Sequence, residues 1–560
     1  MSASRTAGLD CLLVGHHEIP FAEHEGLVRE RGEDLPGYRD LKLNFVNRGD
    51  AKVSHLDLFN QAWSRAHGGP DARFQLGGPP HLGAAYLTSF LQRRGKRADW
   101  VNLFPLQQDE LLEKLSQRPV CVAITTTLYV YNLPAKRIVD FVRQHAPNVP
   151  IVVGGPLVGN HLRGYEGKAL RYVLRDLGAD YFIADSQGEA TLDKLVDCLK
   201  SGGDPATVPN LLYFESDGTL HATPSAPESN DLDQEFVRWS ALPERDLGAT
   251  ILTRTARSCS FKCSFCAYPT RAGALALASL DTIKRELDDL RSIGGIQNVV
   301  YIDDTFNVPL PRFKEICRLM IRERYGFNWF SFFRCSNADR EAVELMAEAG
   351  CKGVLLGIES GAPDILKNMD KSATIEQYAR GVGWLKEHNI LTFGSFIIGF
   401  PGETDQTVQQ TIDFINGTDI DLFRASIWFA EPGTPIMSRR ERYGIEGHTY
   451  QWRHRTMDSD EAARQSQRVF WSADRADWLP KCAFGFWMIP YFMGEGISLD
   501  QFKGLNRNAN AMIKLGLERA GDEAAREEQE RHLDRMTAIM ASAGGAYAPG
   551  PDVSRRVVPV

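Results

Sequence analysis

The sequence predicts an α/β protein: a doubly wound N-terminal sheet, then a partial (β/α)6 barrel, then a small, mostly α-helical cap. Two series of short apolar runs, one in each half of the chain, alternate with helical patterns. That alternation is typical of parallel strands joined by crossover helices. A stretch rich in Gly, Pro, Ser and Asp separates the two series, and an aromatic region follows the second.

The bulk composition limits the function classes. With 560 residues, 43% hydrophobic and 24% charged, the chain is long enough for several packed cores. A net charge of −8 gives no basic field for nucleic acid. No apolar run reaches the roughly 20 residues that cross a bilayer, and the N-terminus lacks a signal-peptide pattern. We therefore expect a cytoplasmic protein without membrane or nucleic-acid partners.

The N-terminal domain, expected over 1–200, is predicted from five apolar runs separated by helical patterns. The runs are 11–14, 100–103, 120–124, 151–153 and 181–184, with helices expected at 82–91, 135–145 and 189–199. A sheet of this kind is Rossmann-like and binds ligands at the carboxyl ends of its strands. No G-x-G-x-x-G opens a helix here, so a dinucleotide is disfavoured.

The interdomain linker is expected over 201–245, with a hairpin around Asp217 and Gly218. The barrel domain is expected over 246–437, from runs at 250–253, 299–302, 329–333, 354–356, 392–398 and 425–429. Its chemistry should gather at the carboxyl ends of these strands.

The C-terminal region is expected to form a helical cap over 438–541. A single charged amphipathic helix is predicted from about Asp500 to Ala541, and 542–560 is expected to be a disordered tail. The aromatic residues of this region either line a substrate lid or form the core of the cap.

Three cysteines in CxxxCxxC order, Cys259, Cys263 and Cys266, follow the first barrel strand. A structural zinc site usually closes with four ligands in two pairs, and no second pair follows here. Three thiolates suit a [4Fe–4S] cluster, because the fourth iron then stays open to a substrate. Zinc remains the alternative.

Several segments accompany the triplet in order: "VVYIDDTFN" (300–307), "LLGIESGAPDILKNMDKSAT" (355–374), "FIIGFPGET" (396–404) and "EPGTPI" (431–436). Together with CxxxCxxC they resemble the radical S-adenosylmethionine (SAM) superfamily. The resemblance implies that SAM chelates the open iron of a [4Fe–4S] cluster held by the three cysteines.

Polar residues at the strand ends are candidates for SAM contacts. SAM needs carboxylate and hydroxyl partners for its amino group and ribose, and a cation for its carboxylate. The candidates are Asp303, Asp304, Arg334, Glu359, Ser360 and Gly399. Asp-Asp-Thr replaces the Gly-Gly-Glu segment of many superfamily members, and each charged residue has a structural ion pair as its alternative.

The N-terminal segments "GGPPHLGAAYLTSFLQRRG" (77–95), "AITTT" and "IVVGGP" resemble the cobalamin-binding domain of one branch of radical SAM enzymes. Hydroxyls and glycines in successive loops suit a large ligand with amide side chains. The candidate cobalamin contacts are Thr125, Thr126, Thr127, Gly154, Gly155, Gln187, Gly188 and Glu189. The motif D-x-H-x-x-G is absent, so no lower axial histidine is expected; a scaffold without ligand is the alternative.

The resemblance is closest to cobalamin-dependent (class B) radical SAM methyltransferases of the PhpK/TsrM-like subgroup. It implies transfer of a methyl group from SAM, through methylcobalamin, to an unactivated carbon or a phosphinate phosphorus of a natural-product intermediate. His454 is a candidate proton acceptor and Cys335 a candidate hydrogen donor, with a buried structural cysteine as the alternative for the latter.

Two other functions stay open. One is a radical SAM rearrangement or cyclisation enzyme that uses cobalamin without methyl transfer, and the other is a binding module stabilised by a structural metal. The expected partners are a small-molecule or peptide substrate and an electron donor such as a flavodoxin or ferredoxin. We expect a monomer.

Overall fold

A computed structural model describes residues 8–49, 51–127, 129, 131–482 and 484–543. The chain divides into two compact units. Unit 1 comprises residues 1–19, 79–247 and 276–294, and unit 2 comprises 20–78, 248–275 and 295–560. No helix within the described ranges combines the length and the apolar character needed to span a membrane.

Unit 1 is built on a seven-stranded sheet whose first five strands in spatial order are parallel. The strand order is Ala98–Leu103, Cys11–His16, Cys121–Thr125, Ile151–Gly154, Tyr181–Ile183, Leu211–Phe214 and Leu220–Ala222. Cys11–His16 and Cys121–Thr125 are buried throughout, as parallel strands covered on both faces must be. The five apolar runs predicted as strands are thus confirmed.

Helices cover this sheet because each presents one apolar face. In Leu133–His145, Ile138 and Val142 are fully buried one turn apart, while charged residues face solvent. The helices of unit 1 are Leu82–Arg93, Gln108–Ser116, Leu133–His145, Pro156–Gly164, Gly167–Leu177, Glu189–Ser201 and Leu280–Ile293. The predicted helices at 82–91, 135–145 and 189–199 are confirmed within two residues at each end.

The predicted hairpin around Asp217 and Gly218 is confirmed, and it extends the sheet. Leu211–Phe214 pairs antiparallel with Tyr181–Ile183 and with Leu220–Ala222. Gly218 has a φ of +83°, a left-handed conformation that glycine adopts without strain. The segment expected to be a linker therefore contributes two strands to unit 1.

Unit 2 is built on seven parallel strands that lie in chain order, which is the arrangement of a βα barrel. They are Thr250–Thr253, Asn298–Tyr301, Asn328–Phe333, Cys351–Glu359, Leu391–Ile398, Leu422–Ile427 and Asp477–Trp478. The first six are the predicted barrel strands. The seventh is only two residues long, too short for a periodicity to show in the sequence.

The helices of unit 2 pack around this sheet and beyond it. They are Phe21–Arg29, Pro36–Leu41, His55–His67, Tyr268–Ala272, Leu310–Glu323, Arg340–Glu348, Pro363–Asn368, Ile375–Glu387, Asp405–Gly417, Arg440–Tyr443, Ser459–Ser472, Met488–Gly494, Leu499–Glu518 and Glu523–Ala541. Two small antiparallel sheets accompany them: Phe45–Arg48 with Ala51–Ser54, and Glu446–His448 with Gln451–His454 and Met457–Asp458.

The single helix predicted from Asp500 to Ala541 is wrong. Two helices, Leu499–Glu518 and Glu523–Ala541, occupy this region. Gly521 takes a φ of +84° between them, and the Asp522 side chain caps the second helix by accepting a hydrogen bond from the Ala524 amide. The expected disordered tail lies outside the described residues apart from its first two positions, and the functional boundaries 1–200, 201–245, 246–437, 438–541 and 542–560 stay a prediction.

Candidate active site

The cysteine triplet lies where the sequence places it, in the loop after the first barrel strand. All three thiols are free, Cys263 is buried, and Cys259 and Cys266 keep partial access to solvent. Cys259 Sγ lies 3.0 Å from the Thr305 hydroxyl. Burial raises the pKa of the Cys266 thiol, with smaller contributions from Cys263, Asp304 and Cys259. The contact with Thr305, which follows Asp304 in the sequence, places Cys259 just beyond the end of the second barrel strand.

Backbone hydrogen bonds fix the loop that carries these thiols. The Asp303 carboxylate accepts hydrogen bonds from the amides of Thr255 (2.7 Å) and Ala256 (2.8 Å), and from the Thr255 hydroxyl. The Ser264 amide donates to the Met369 carbonyl at 2.9 Å, and the Ser264 carbonyl accepts from the Ile436 amide at 2.8 Å. Asp303 thus positions the loop, with its oxygens occupied by the protein itself.

Arg334 holds the same loop from another side. Its guanidinium lies 3.6 Å from the centre of the Phe261 ring and donates to the carbonyls of Lys371 and Ser372. Arg334 is buried, and Asn307 fixes its backbone through two hydrogen bonds of 2.9 and 3.0 Å. The structure therefore engages this cation with carbonyls and an aromatic face; a contact to the SAM carboxylate stays a prediction.

Asp304 faces the thiols from the end of the second barrel strand. Its side chain remains accessible, unlike that of Asp303. Desolvation by the surrounding protein, together with the Asp303 charge, raises the pKa of Asp304 to about 7. Asp303 accepts a hydrogen bond from the Thr255 side chain, whereas the hydrogen bond to the Asp304 carboxyl among the described residues comes from backbone.

Glu359 and Ser360 end the fourth barrel strand, beside a lysine that sequence reasoning missed. Lys371 Nζ lies 3.1 Å from Glu359 Oε1, and both side chains are largely buried. Lys371 Nζ also lies 5.4 Å from the centre of the Phe265 ring, next to Cys266. Glu359 has a φ of +70°, a strained conformation for a non-glycine residue. Lys371 lies within the segment 355–374 that carries the superfamily resemblance, and this position could have marked it as a candidate site residue.

Ser360 is fully buried and caps the turn that follows, since its hydroxyl accepts from the Ala362 amide at 3.1 Å. The hydroxyl also lies 3.4 Å from that of Thr411. Ser360 is therefore tied into the protein at a position where a SAM contact was expected.

Gly399 and His454 come together at the end of the fifth barrel strand. His454 Nε2 lies 3.1 Å from the Gly399 carbonyl oxygen, and the Gly399 amide donates to Glu403. Burial lowers the pKa of His454 and raises that of Glu403 to about 8. A Cβ at Gly399 would lie 2.6 Å from both Ala462 and Trp452, so only glycine fits there.

Cys335, the candidate hydrogen donor, packs behind the third barrel strand. Its Sγ lies 3.9 Å from the Tyr378 carbonyl, on the helix Ile375–Glu387. A Cβ at Gly381 would lie 2.7 Å from Cys335 Cβ, which shows how closely helix and thiol approach. Burial raises the pKa of Cys335 to about 12. This packing favours the structural alternative for Cys335.

The side chains that line the interior of the barrel are partly accessible to solvent. Along the fourth to sixth strands, partly exposed residues alternate with fully buried ones; the partly exposed residues are Leu355, Gly357, Ser395, Ile397, Arg424 and Ser426. Their buried neighbours face the helices, as Phe396 does against Phe414. Side chains of a strand alternate between faces, so the exposed set lines the inside. We call this space the barrel cavity.

Aromatic rings close one side of the barrel cavity. Phe393 stacks on Phe486 with 5.7 Å between ring centres, and Phe330 meets Phe486 at 6.0 Å. A polar substrate in this space would therefore rest on an apolar wall and depend on few polar groups for its orientation.

The donor set at the cysteine loop fits an iron–sulfur cluster. Three free thiols in eight consecutive residues are the ligands such a cluster uses. Within the described ranges, no three His, Cys, Asp or Glu side chains converge on a point that would hold one metal ion. A cluster attaches each thiolate to a separate iron, so its ligands need not converge in that way.

In unit 1 the candidate residues Thr125, Thr126, Thr127, Gly154 and Gly155 gather at the carboxyl edge of the sheet. The Thr126 hydroxyl donates to the Gly154 carbonyl at 2.8 Å, and Gly155 has a φ of +100°. The hydroxyls of Thr125 and Thr127 lie 3.3 Å apart. The result is an edge lined by hydroxyl groups and small residues.

Gln187, Gly188 and Glu189 lie at the next strand end, but their polar atoms are used by the chain itself. Gln187 bonds the Glu228 carbonyl (2.6 Å) and the Asn230 amide (2.9 Å), and Glu189 accepts from the Asn230 side chain at 3.0 Å. Gly188 has a φ of +80° and packs on Ile183. Through these contacts Gln187 and Glu189 hold residues 228–230 in place. The sequence did not indicate this role.

Three histidines at the same edge were also missed as site residues. The rings of His16 and His81 lie 6.3 Å apart, and a Cβ at Gly83 would lie 3.0 Å from His81 and 3.2 Å from Thr125 and Thr127. Burial lowers the pKa of His17 to about 4 and that of His81 to about 3. The ring nitrogens of His17 are buried without a hydrogen bond among the described residues, and His16 Nε2 lies 3.4 Å from Glu18 Oε2 without forming one. Buried polar groups are usually satisfied by protein, water or a bound ligand.

The family and sequence comparisons agree with this geometry. Residues 253–415 match the model of the radical SAM superfamily. A protein of Pyrococcus horikoshii named as an uncharacterized methyltransferase is 29% identical over 394 residues, which are 68% of this chain and 82% of that protein. The anaerobic magnesium-protoporphyrin IX monomethyl ester cyclase of Rubrivivax gelatinosus is 27% identical over 361 residues, 61% of this chain and 63% of that protein.

Solved structures share the fold. The methyltransferase TsrM from Kitasatospora setae, solved with cobalamin and a [4Fe–4S] cluster, aligns with a TM-score of 0.59 and 18% identity, covering 82% of this chain and 97% of TsrM. The cobalamin-dependent radical SAM enzyme OxsB aligns with a TM-score of 0.55 and 15% identity, covering 83% of this chain and 82% of OxsB. Residues 253–415 therefore resemble the radical SAM superfamily, a likeness that implies a [4Fe–4S] cluster and SAM, in a chain that has the fold of TsrM and OxsB.

Proposed function

We propose that this protein is a cobalamin-dependent radical SAM methyltransferase that methylates an unactivated carbon or a phosphinate phosphorus of a natural-product intermediate. The observation that carries the proposal is the triplet of free thiols after the first strand of the matched domain. When bound, the cluster supplies the electron that cleaves SAM, and cobalamin carries the methyl group.

Residues around the thiols support SAM binding. Asp304 offers a carboxyl group near Cys266 for the amino group of SAM. Lys371 offers a cation for the carboxylate of SAM, because Arg334 already donates to backbone carbonyls. Glu359 holds Lys371 in place from a distance of 3.1 Å. The protein's share is to orient the amino acid end of SAM at the open iron and to keep water away from it.

The carboxyl edge of the sheet in unit 1 supports cobalamin binding. Its hydroxyls, its glycines and the ring nitrogens of His17, which lack hydrogen bonds among the described residues, suit a ligand rich in amide groups. TsrM and OxsB were both solved with cobalamin bound. The neutral imidazoles of His17 and His81 donate or accept hydrogen bonds without adding charge to this edge.

His454 retains a proposed role at the barrel mouth, since its ring is fixed against Gly399 and stacks on Trp452 with 5.2 Å between centres. Its lowered pKa keeps it neutral, which a proton acceptor requires. A proton released by the methyl acceptor would pass to Nδ1 of His454. The Thr456 hydroxyl lies 3.2 Å from this nitrogen.

Anaerobic reconstitution with iron, sulfide, cobalamin, a reduced flavodoxin or ferredoxin as electron donor, and methyl-labelled SAM tests the proposal. We expect about four irons per chain, together with turnover of SAM to 5′-deoxyadenosine and S-adenosylhomocysteine. Cys263→Ala should lose the cluster and both products. Cys351→Ala, which removes a buried thiol from the fourth strand, should keep them. A Cys263→Ala variant that still cleaves SAM would contradict the assignment.

A second candidate function is a radical SAM rearrangement or cyclisation that uses cobalamin without methyl transfer. The likeness to the cyclase of Rubrivivax gelatinosus favours it. The labelled methyl group separates the two: S-adenosylhomocysteine carrying no label, with label found in a product, supports the methyltransferase. Formation of 5′-deoxyadenosine alone, with every label left on methionine, supports the alternative.

A further inference from the structure

We propose that Arg424 binds an oxyanion of the methyl acceptor, a carboxylate or a phosphorus oxyanion, inside the barrel cavity. The identity of the bound molecule as methyl acceptor rests on the proposed function. The anion site itself rests only on the surroundings of Arg424.

Arg424 lies in the middle of the sixth barrel strand and faces the barrel cavity. It is the third residue of Leu422–Ile427 and pairs in register with Ser395. Its neighbours Phe423 and Ala425 are buried on the opposite face, where Phe423 packs on Trp478. The guanidinium lies 5.4 Å from the centre of the Phe393 ring. Arg424 is thus a cation placed against the apolar wall of the cavity.

Two carboxylates that act electrostatically on Arg424 already have lysine partners. Asp40 is paired with Lys481, and Glu359 is paired with Lys371 at 3.1 Å. The remaining polar neighbours are the Tyr450 hydroxyl and the Cys482 thiol. Arg424 Nε is buried, and no hydrogen bond or ion pair joins the guanidinium to another described residue. Among the described residues, the charge of Arg424 therefore has no paired counter-charge.

A buried guanidinium nitrogen without a hydrogen-bond partner is costly to maintain. Desolvation by the surrounding protein lowers the pKa of Arg424, and the nearby carboxylates only partly oppose it. By contrast, the buried guanidinium of Arg334 donates to two carbonyls. A planar guanidinium is suited to hold two oxygens of a carboxylate or a phosphinate at once. An entering oxyanion would supply the partner that the protein does not.

The position of Arg424 separates it from the cluster and SAM contacts. The cysteine loop follows the first strand and the candidate SAM residues end the second to fifth, whereas Arg424 lies within the sixth. Of its neighbours, Asp40, Tyr450 and Cys482 come from segments outside the radical SAM match at 253–415, whereas Glu359 and Phe393 lie within it. This combination favours the acceptor over SAM as the source of the oxyanion.

Calorimetric titration of the reconstituted full-length protein with inorganic phosphate, methylphosphonate and acetate tests the inference. We expect Arg424→Gln to weaken binding at least about tenfold, the effect of losing one charged hydrogen-bonding group. Arg424→Lys, which keeps the charge but not the fork, should be intermediate. Arg453→Gln is the matched control, because Arg453 is 69% exposed and pairs with Glu446 on the surface. The preferred probe distinguishes a carboxylate from a phosphorus oxyanion.

Wild-type protein that binds none of the three probes would overturn the inference, as would equal affinities for wild type and Arg424→Gln. Loss of SAM affinity in Arg424→Gln with unchanged anion binding would assign the residue to SAM and overturn it as well. If Arg424→Gln fails to fold, Arg424→Lys alone must show the weakened binding. A chain that binds oxyanions through Arg424 but transfers no labelled methyl group contradicts only the proposed function.

Discussion

Gly361 follows the fourth barrel strand at a point where the chain runs directly over the helix Asp405–Gly417. A Cβ there would lie 2.6 Å from Thr411 Cα and 2.7 Å from the Gln410 carbonyl oxygen. Both atoms belong to backbone, so neither moves easily. The close approach keeps Ser360, the preceding residue, fully buried against Thr411.

Gly361→Ala should therefore destabilise the protein by about 1–3 kcal/mol, the usual cost of overpacking. Urea denaturation measures the change. Gly383→Ala is the matched control: Gly383 lies in the helix Ile375–Glu387 with nothing within 4 Å of a new Cβ, and alanine should stabilise that helix by up to about 1 kcal/mol. Equal effects of the two substitutions would contradict the steric explanation.

At this scale the sequence was informative about the cluster ligands and less so about their partners. Cys259, Cys263 and Cys266 lie within eight consecutive positions, so their spacing alone indicated the site. Lys371 lies twelve positions beyond Glu359, and Glu228 lies about forty positions beyond Gln187. Contacts over such separations depend on the fold, and no local pattern predicts them.

At the scale of elements, Asp421 joins two strands and two helices of unit 2. Its carboxylate accepts from Lys386 (2.6 Å), from Lys503 (2.9 Å) and from the Thr392 amide (2.9 Å). These hydrogen bonds outweigh burial and lower the pKa of Asp421. The residue immediately precedes the sixth barrel strand and fixes where that strand begins.

Asp421→Asn should cost about 3 kcal/mol of unfolding free energy at pH 7, because two lysines lose their shared partner. The folded pKa lies below the unfolded value of about 3.9, so the carboxylate stabilises the fold above that pH and less as pH falls through the lowered pKa. The difference between variant and wild type should therefore shrink in acid. Asp419→Asn is the control, since Asp419 is 65% exposed; a comparable loss there would refute the explanation.

Strands were predicted well where a short apolar run lies between helical patterns, as at 250–253 and 392–398. The division of the last helix at Gly521 was missed, although glycine followed by a capping aspartate is a recognised boundary signal. The strand Asp477–Trp478 is too short to carry any period and exists only because its neighbour in the sheet aligns it.

At the scale of the whole molecule, the chain comprises two compact units with separate cores. Proteins of this kind commonly unfold in more than one step. We expect differential scanning calorimetry to give a calorimetric enthalpy larger than the van't Hoff enthalpy. Gly361→Ala lies in unit 2 and should shift one transition while leaving the other in place. A single transition with equal enthalpies would contradict this expectation.

The order of the two sheets and the position of the cluster loop were predictable from sequence because each domain is a series of local βα repeats. The assignment of residues 20–78 to unit 2 was not. It depends on packing between segments about 400 positions apart, such as the hydrogen bond of Trp478 Nε1 to the Leu43 carbonyl at 2.9 Å. Composition within 20–78 carries no sign of that partnership.

The loop that bears the three thiols is held by Asp303, by the Phe261–Arg334 contact and by the hydrogen bonds of Ser264, none of which needs iron. Oxygen strips inorganic clusters far more readily than it unfolds proteins. A protein molecule that has lost a bound cluster in this way should keep the cysteine loop folded. It should then accept a new cluster without refolding.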